Sequence, residues 1–557
     1  MENYERHLSK KLSVIGRIGS ILEGNNQCSE ARPVSLTWVA VMILYVLGMG
    51  SLSAAQSRPN ILFIFPDDHT WQTISAYGHP LSKVVPTPNI DRIADEGIRF
   101  DRCLVTNSIC APSRAVVLTG KYSHLNGQEN NFTTFDGKQM TFPKLLQKSG
   151  YQTAIVGKWH LKSIPTGFDH HEVMRGQGHY YNPVLYTDGE PTEYKGYNTD
   201  VVVDRSLDWL KNRDSDQPFM LMCQFKATHG PFQPALRHLG ELDDVTAPVP
   251  DNFFDDFSNR SSLPANHRTS IANEMPLSNL SLEYANIDDE QLGVYRSHFD
   301  EANEAFKKAN LHGDDRALWR YQRFVKNFLL TSKGIDENVG RVLDYLDESG
   351  LAENTIVIYA ADQGFFLGEH GWYDKRWMYE ECLKTPFMVR WPGVAPEGQV
   401  VDEIVSNLDF APMFLEMAGA SIPDEMQGSS LVPILKGDIP ENWRTSFYYD
   451  YPGEFRGNGG GNTWRGNTAG RNSGEPYFNH GVPPHEGVAD ARYKLIHYKH
   501  NDADWDFKTD DVDEWEFYDH QQDPGEMNNE YDNPAYAGKI AELKTELVRL
   551  KAQYRVN

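Results

Sequence analysis

The chain is poor in cysteine for its length, with five cysteines among 557 residues. Dense cysteine frameworks are typical of small secreted domains, whereas a chain of this size can bury a core without them. Cys28 and Cys110 belong to two other features, an N-terminal leader and a short motif. The remaining three, Cys103, Cys223 and Cys382, allow at most one bridge. We therefore expect buried free thiols and no disulfide framework.

Basic side chains are also in deficit. Lys and Arg number 53 against 78 Asp and Glu, which gives a formal net charge of −25. Binding to a phosphate backbone requires a basic surface, so nucleic acid is not an expected partner. The deficit does not exclude a small anionic substrate, because a few cations focused in a pocket outweigh the global field.

The sequence also lacks a clear membrane span near its start. The apolar stretch from Leu36 to Met49 is shorter than the roughly 20 residues that a transmembrane helix needs. Basic residues precede this stretch, and small residues ending at Ala55 follow it, as in a secretory signal peptide. We expect cleavage near Ala55, a secreted or periplasmic protein, and no stable membrane span afterwards. A start codon downstream of Met1 and a retained anchor are the alternatives.

Short apolar runs alternate with amphipathic helical segments along the next 380 residues or so. Such alternation is typical of an α/β domain with right-handed crossovers and a mostly parallel sheet. We predict helices at residues 88–97, 142–150, 201–210, 319–349 and 408–418, and one that follows Cys110. We predict buried strands at residues 60–65, 152–156, 219–225, 355–360 and 387–391.

Composition divides the chain into three parts. Residues 1–55 form the leader, residues 56–437 a catalytic domain, and residues 438–557 a small α+β domain that closes the active site. Within the catalytic domain, residues 236–310 are rich in Asp, Asn, Ser and Pro, and we predict an insertion made of loops. In the last part we predict a loop at 451–487, strands at 491–497 and 514–518, and a helix at 535–554.

Polar side chains follow several of the predicted strands, where open α/β sheets bind their ligands. These are Asp67 and Asp68, Lys158 and His160, His229, and Asp362 and Gln363. The three carboxylates and the amide of Gln363 make an all-oxygen set, which suits Ca²⁺ or Mg²⁺ better than zinc. Calcium tolerates irregular ligation and is therefore the preferred ion. A helix cap or a turn is the alternative interpretation of the two adjacent aspartates.

Residues 110–120 read C-A-P-S-R-A-V-V-L-T-G and carry the most information. Pro112 can occupy the first turn of a helix, where its missing N–H costs nothing. Cys110 would then lie at a helix N-terminus, where free N–H groups and the helix dipole favour an anion such as sulfate. Arg114, one turn further on, can orient oxygens around that centre. The alternative is a half-buried free cysteine before an ordinary amphipathic helix.

The run at 110–120, together with G-E-H-G-W-Y-D-K-R at 368–376, resembles the signatures of the formylglycine-dependent (type I) sulfatases. The resemblance extends from Asn60 to about Tyr554 and is nearest to the carbohydrate-acting branches. It implies an alkaline-phosphatase-like fold, one Ca²⁺ ion, and a maturating enzyme that oxidises Cys110 to formylglycine. The hydrated aldehyde would then supply the nucleophilic oxygen.

Roles carry over to matching positions as implications of the resemblance. The metal ligands are Asp67, Asp68, Asp362, Gln363 and the modified Cys110. Arg114 orients the modified residue, Lys158 and Lys375 bind sulfate, His229 is the general acid, and His160 assists sulfate release. One departure is Gln363, since many members carry Asn or His there. Gln keeps a carbonyl oxygen one methylene further out, so the metal site is still expected.

The function implied is removal of sulfate from a sulfated carbohydrate. The rivals are an arylsulfatase, a phosphonate or phosphodiester hydrolase of the same superfamily, and a non-catalytic binder of sulfated glycans in which Cys110 is unconverted. Aromatic and basic residues of the late loops could hold sugar rings, and among them we select His485 as a substrate-binding residue. The set is Phe455, Arg456, Trp464, Arg465, Arg471 and His485.

Overall fold

The computed structural model describes residues 58–284, 286–456, 477–500 and 512–556. The predicted leader, Cys28 and the loop residues Trp464, Arg465 and Arg471 lie outside these ranges. Within them, no helix combines the length and the apolar character needed to cross a bilayer. Cys103, Cys110, Cys223 and Cys382 are buried and free, which confirms the expectation for the thiols.

The strands are numbered β1 to β20 in chain order. Their bounds are Asn60–Ile64, Ile98–Phe100, Cys103–Leu104, Gln152–Lys158, His170–Met174, Val184–Thr187, Glu190–Glu193, Phe219–Gln224, Thr355–Ala360, Phe366–Leu367, Tyr373–Asp374, Phe387–Arg390, Gln399–Val401, Val405–Ser406, Ser446–Tyr451, Phe455–Arg456, Tyr477–Phe478, His485–Asp490, Tyr493–His500 and Val512–Asp519.

The α-helices are numbered α1 to α11 in the same way. Their bounds are Pro88–Asp95, Cys110–Thr119, Ser123–Asn126, Phe142–Lys148, Asn198–Asn212, Asp289–Ala309, Gly313–Glu348, Glu380–Leu383, Phe410–Met417, Val432–Leu435 and Ala537–Tyr554.

A ten-stranded sheet in the order β13-β2-β12-β9-β1-β8-β4-β5-β6-β7 forms the centre of the large domain. Its middle five strands, from β9 to β5, pair in parallel. Strand β12 and the β6–β7 hairpin add antiparallel pairs on either side. The prediction of a large, mixed and mostly parallel sheet is confirmed.

Strand β1 shows why the central strands of the sheet are continuous apolar runs in the sequence. Successive side chains of a strand point to opposite faces. Ile61 and Phe63 enter one hydrophobic core, and Leu62 and Ile64 enter the other. Helices α2, α4 and α9 cover the first face, and α1, α5 and α7 cover the second. Both faces are therefore dry, and the open edge for ligands is the end of the strands.

The C-terminal part contains a four-stranded antiparallel sheet in the order β15-β18-β19-β20. Helix α11 covers one face of it, where Leu543 and Leu547 pack against Leu495 and Phe517. The other face shares a core with residues of the large domain such as Trp377. The predicted small α+β unit is therefore present, and the boundary at 437/438 stays a prediction.

Two predicted loop regions contain regular structure. The 236–310 insertion contains α6, a 21-residue helix. Only Gln291, Tyr295, Phe299 and Asn303 of that helix are buried, so its apolar stripe is too narrow to give a clear period. A capping box of Asp288 and Gln291 was the available signal. In the 451–487 region, β16 pairs with β17 and β18 begins at its end. Strand β15, just before it, was not predicted.

Gly157 offers a test of how β4 is held against β8. Its φ is +108°, and a Cβ there would lie 1.8 Å from the Gln224 carbonyl oxygen. Gly189 has a φ of +90° with open space where a methyl group would lie, so it reports the backbone strain alone. We expect Gly157→Ala to destabilise the protein by about 3 kcal/mol and Gly189→Ala by about 1 kcal/mol.

The measurement is the thermal unfolding midpoint. The Gly157 variant should unfold about 2 °C below the Gly189 variant, because the difference of about 2 kcal/mol is spread over the large unfolding entropy of a chain of this length. Equal midpoints for the two variants would show that the close approach of β4 and β8 is not a constraint on the fold.

Candidate active site

The predicted polar residues meet at one edge of the central sheet. Strands β9, β1, β8 and β4 are neighbours, and each is followed by chemistry-bearing side chains at its carboxyl end. Helix α2 begins at the same edge with Cys110. The strand-end residues are Asp362 and Gln363 after β9, Asp67 and Asp68 after β1, His229 after β8, and Lys158 and His160 at the end of β4.

Three carboxylates form the centre of the group. Single carboxylate oxygens of Asp67, Asp68 and Asp362 lie within 4.8 Å of one another, and all three residues are buried. The backbone N–H of Asp68 donates to Asp362 Oδ1 over 3.0 Å. The Gln363 amide faces the same space, with Nε2 2.9 Å from Asp362 Oδ1 and 3.9 Å from Cys110 Sγ. A half-turn of that amide would present Oε1 instead.

The donor set fits a hard divalent cation. Asp67 Oδ1 and Gln363 Oε1 are buried and have no hydrogen-bond partner within the described part of the chain. Unpaired buried oxygens are costly, and a cation bound among them would satisfy both. Carboxylate and amide oxygens are the ligands that Ca²⁺ takes up in irregular arrangements. The predicted four oxygen ligands therefore lie together and could hold the ion.

Three buried cations surround the carboxylates. Lys158 Nζ pairs with Asp67, and Lys375 Nζ pairs with Asp68. Arg114 places Nη2 2.9 Å from Asp362 Oδ2. With three carboxylates and three cations the cluster is close to neutral, so a bound divalent ion would leave it positive. A positive, buried pocket suits an anionic group such as sulfate.

Arg114 also connects the helix to two strands. Its Nη1 donates to Gln224 Oε1 over 2.6 Å and lies 3.3 Å from the Lys158 carbonyl oxygen. Because Arg114 lies one turn after Cys110, these bonds fix the start of helix α2 against the sheet edge. The orienting role of Arg114 toward Cys110 stays a prediction.

Cys110 is the first residue of a helix in which all ten residues are buried. The N–H of Ala111 donates to Asn131 Oδ1 over 3.0 Å. Burial raises the pKa of the Cys110 thiol to about 12, although the charge of Lys375 opposes the shift. A thiol with this pKa is protonated at neutral pH and is a weak nucleophile as encoded.

The two predicted histidines lie at the rim of the carboxylate cluster. His229 Nε2 is 3.9 Å from Asp68 Oδ2, and the side chain is 20% exposed. His160 is buried, and its Nδ1 has no hydrogen-bond partner among the described residues. Burial, followed by the charge of Lys158, lowers the pKa of His160. His229 is thus the more accessible of the two to a substrate oxygen.

His485 lies in a different environment from the one expected of a loop residue. It begins strand β18, is buried, and packs among Trp377, Tyr449 and Tyr498. Burial lowers the pKa of His485 to about 4, so at neutral pH the ring carries no charge that could attract sulfate. Its role in substrate binding stays a prediction, as do those of Phe455 and Arg456, which form the short strand β16.

Asp374, Arg376 and Lys226 are not among the site residues predicted from the sequence. Arg376 is buried beside Lys375, with Nη1 2.7 Å from Asp374 Oδ2 and Nε 3.0 Å from Glu454 Oε2. The D-K-R run at 374–376 was the available sequence signal for Asp374 and Arg376. Glu454, the partner of Arg376, is distant in the sequence. Lys226 is buried three residues before His229. Its position after an apolar strand was the available signal.

Comparisons with known proteins place the chain in a family. A family model described as Sulfatase matches residues 59–420, which is more than half of the chain. The chain belongs to the sulfatase family. A second family model, described as N-sulphoglucosamine sulphohydrolase, C-terminal, matches residues 475–553. The protein is therefore a sulfatase, and the resemblance inferred from its motifs is confirmed.

Two relatives are similar over most of the chain. An N-acetylglucosamine-6-O-sulfatase of Bacteroides thetaiotaomicron is 41% identical over 90% of this chain and 87% of its own length. The human N-acetylglucosamine-6-sulfatase is 28% identical over 74% of this chain and 70% of its own. A solved structure holding its substrate D-glucosamine-2-N,6-O-disulfate is 40% identical, with a TM-score of 0.81, and covers 90% of this chain and 99% of its own.

A more distant structure supports the fold alone. A phosphonate monoester hydrolase from Silicibacter pomeroyi is 22% identical with a TM-score of 0.64, and covers 89% of this chain and 96% of its own. At this identity the likeness carries no information on the substrate.

Calcium binding at the carboxylate cluster can be tested without any activity. Added Ca²⁺ should raise the thermal midpoint, since a ligand at a hundredfold excess over its Kd adds about 2.7 kcal/mol. Asp67→Asn should lose most of this rise, because it removes the charge of a ligand whose Oδ1 has no hydrogen-bond partner among the described residues and only an ion pair of 3.6 Å with Arg114 Nη2. Asp188→Asn is the control, since that carboxylate is 86% exposed and lies between β6 and β7 at the outer end of the sheet. A full calcium-dependent rise in Asp67→Asn would contradict the ligand assignment.

Proposed function

We propose that the protein removes the 6-O-sulfate from N-acetylated or N-sulfated glucosamine units of a sulfated glycan. The observation that carries the proposal is the placement of Cys110 at the start of a buried helix, against three carboxylates and three buried cations. A maturating enzyme would first oxidise Cys110 to formylglycine, and the hydrate of that aldehyde supplies a nucleophilic oxygen.

The sulfate group would be held by the buried lysines. A sulfate monoester carries one negative charge, and further charge develops on the leaving oxygen in the transition state. Lys158 and Lys375 present ammonium groups at the sheet edge, each already oriented by one aspartate. Cations held in place in a dry pocket stabilise developing charge at little reorganisation cost. These two residues therefore account for sulfate binding and for part of the rate enhancement.

Calcium would be held by Asp67, Asp68, Asp362 and Gln363, and would supply positive charge beside the reacting oxygens. Arg114 keeps this arrangement rigid, because its guanidinium joins Asp362 and Gln224 to the helix that carries Cys110. A displacement of Cys110 by about 1 Å would lower the reaction rate. The rigidity of the start of helix α2 therefore contributes to catalysis.

His229 is the residue to which we assign protonation of the departing sugar oxygen. Its side chain is partly exposed, and Nε2 faces the carboxylate cluster. A sugar alkoxide is a poor leaving group, so protonation by a positioned acid is worth a factor of about 10²–10⁴ in rate. His160, buried near Lys158, is the residue assigned to assisting sulfate release.

The choice of glucosamine 6-sulfate is supported by two relatives. One is an N-acetylglucosamine-6-O-sulfatase at 41% identity, and the other is the 40% identical structure that holds D-glucosamine-2-N,6-O-disulfate. The paired Asp374 and Arg376 next to Lys375 offer hydrogen-bonding groups for sugar hydroxyls beside the sulfate site. The leader at residues 1–55 supports export, to the periplasm or outside the cell, with cleavage near Ala55.

Cys110→Ala should abolish sulfate release, by at least about a thousandfold, and leave the thermal midpoint almost unchanged, because only a thiol is removed. Cys110→Ser is the matched control and should be equally inactive, since a single hydroxyl cannot replace the aldehyde hydrate. Peptide mass analysis of the wild-type protein should show sulfur exchanged for oxygen with loss of two hydrogens. A near-wild-type rate in Cys110→Ala would refute the nucleophile assignment.

Position specificity is tested with isomeric substrates. We expect kcat/KM for glucosamine 6-sulfate to exceed that for glucosamine 3-sulfate by about a hundredfold or more, because a site that hydrogen-bonds specific sugar hydroxyls rejects a misplaced ester. Glucosamine 6-phosphate is the matched control for the ester type and should react far more slowly. Equal rates on the two sulfate isomers would overturn the assignment of the 6-position.

A further inference from the structure

Lys226 is a buried lysine close to the carboxylate cluster that has no part in the roles described above. It follows strand β8 and lies three residues before His229, and it is 1% exposed. Burial lowers the pKa of its ammonium group to about 7, and the charge of Asp68 opposes this shift. A buried lysine has to be held by specific contacts, so the partners of its Nζ indicate what it does.

The contacts of Lys226 lead to the segment that carries His229. Its Nζ donates to the Gly230 carbonyl oxygen over 2.9 Å. The same Nζ lies over the ring of Tyr180, 4.9 Å from the centroid, and the Tyr180 hydroxyl donates to the His229 carbonyl oxygen over 2.8 Å. The N–H of His229 donates back to the Lys226 carbonyl oxygen over 3.0 Å. Lys226 and Tyr180 therefore hold two successive carbonyl groups of this short segment.

The Gly230 carbonyl oxygen also decides the state of the His229 ring. His229 Nδ1 lies 3.1 Å from that oxygen. A carbonyl oxygen only accepts, so Nδ1 carries a hydrogen in both charge states of the ring, and Nε2, the nitrogen that faces the cluster, carries one only when the ring is an imidazolium. Lys226 Nζ occupies the second lone pair of the same oxygen and fixes its direction. The ring orientation and its tautomer thus depend on a carbonyl that Lys226 holds.

The other side of the segment is fixed independently of Lys226. The Thr228 hydroxyl donates to the Asp68 carbonyl oxygen over 3.0 Å, and Asp67 and Thr228 form a β-bridge. The backbone before His229 therefore stays attached to the sheet edge when Lys226 is changed. What Lys226 adds is control of the Gly230 carbonyl and of the ring beside it.

We infer that Lys226 is a positioning residue for His229, which holds the Gly230 carbonyl so that His229 Nε2 faces the leaving oxygen of the substrate. The inference rests on the proposed function, in which the imidazolium form of His229 gives its Nε2 proton to that oxygen and is left as the neutral ring with a hydrogen on Nδ1. We therefore expect the loss of Lys226 to lower the rate only through its effect on His229. The loss should appear only with substrates whose leaving oxygen needs to be protonated.

The first test compares two leaving groups in Lys226→Met, which keeps the length and packing of the side chain but removes the donor. For glucosamine 6-sulfate, kcat should fall by about a hundredfold, with KM within about threefold, because a misplaced acid costs rate and not binding. For 4-nitrophenyl sulfate, whose phenolate leaves without help, kcat should fall by less than about threefold. An equal loss on both substrates, or no loss on either, would overturn the inference.

A mutant cycle on glucosamine 6-sulfate supplies the second test. If Lys226 acts through His229, then Lys226→Met should have little further effect in a His229→Ala background. A further hundredfold loss in that background would show that Lys226 acts on its own and would overturn the inference. Lys226→Gln keeps a hydrogen-bond donor on a side chain that is one bond shorter. It should be at least about tenfold faster than Lys226→Met. It also replaces the Met variant in these tests if that variant does not fold.

Two controls separate this inference from the function on which it depends. Lys384→Met removes another largely buried lysine, whose Nζ lies 4.2 Å from the Trp71 ring centroid, and should leave both rates unchanged. A wild-type protein with confirmed conversion of Cys110 that releases no sulfate from either substrate would refute the proposed function. An active wild-type protein with an unaffected Lys226→Met variant would refute the role of Lys226 alone.

Discussion

The structure depends on the balance of charge at one edge of the central sheet. Asp67, Asp68 and Asp362 are fully buried, and buried carboxylates are tolerated only when cations and hydrogen bonds compensate them. The cations come from three separate places in the chain, the cysteine-bearing helix, the end of β4 and the segment after β11. Each ion pair therefore joins an element to the sheet edge, and the requirement for compensation holds those elements in register.

This constraint explains why the centre is rigid. Arg114 cannot leave Asp362 without exposing a buried carboxylate to an apolar surrounding, so the start of helix α2 stays fixed. The same network leaves Asp67 Oδ1 and Gln363 Oε1 without a hydrogen bond among the described residues, and the Gln363 amide lies beside Cys110. Structural charge balance and the proposed binding of an anion and a cation thus depend on one cluster. The C-terminal sheet supports it from outside through a shared aromatic core.

The sequence predicted the sheet and most of the cluster because both depend on local pattern. An apolar run followed at once by polar residues identifies a buried strand and its ligand-facing end, and this was sufficient for Asp67, Lys158 and Asp362. Helix α6 escaped prediction because four buried positions among 21 leave almost no hydrophobic period. Strand β15 escaped because its tyrosines pack on both faces, one face against α11 and the other against the large domain.

The sequence by itself determined the family motif, the strand order along the chain and the residue types that carry the chemistry, since these follow from spacing and composition. Only the tertiary structure decided which groups are partners across long separations. Arg376 with Glu454, and His485 among aromatic rings, could not be read from spacing, because side chains brought together by packing leave no periodic trace. Lys226 is nearer in sequence, but the direction of its amine toward Gly230 depends on how the segment after β8 folds back on itself.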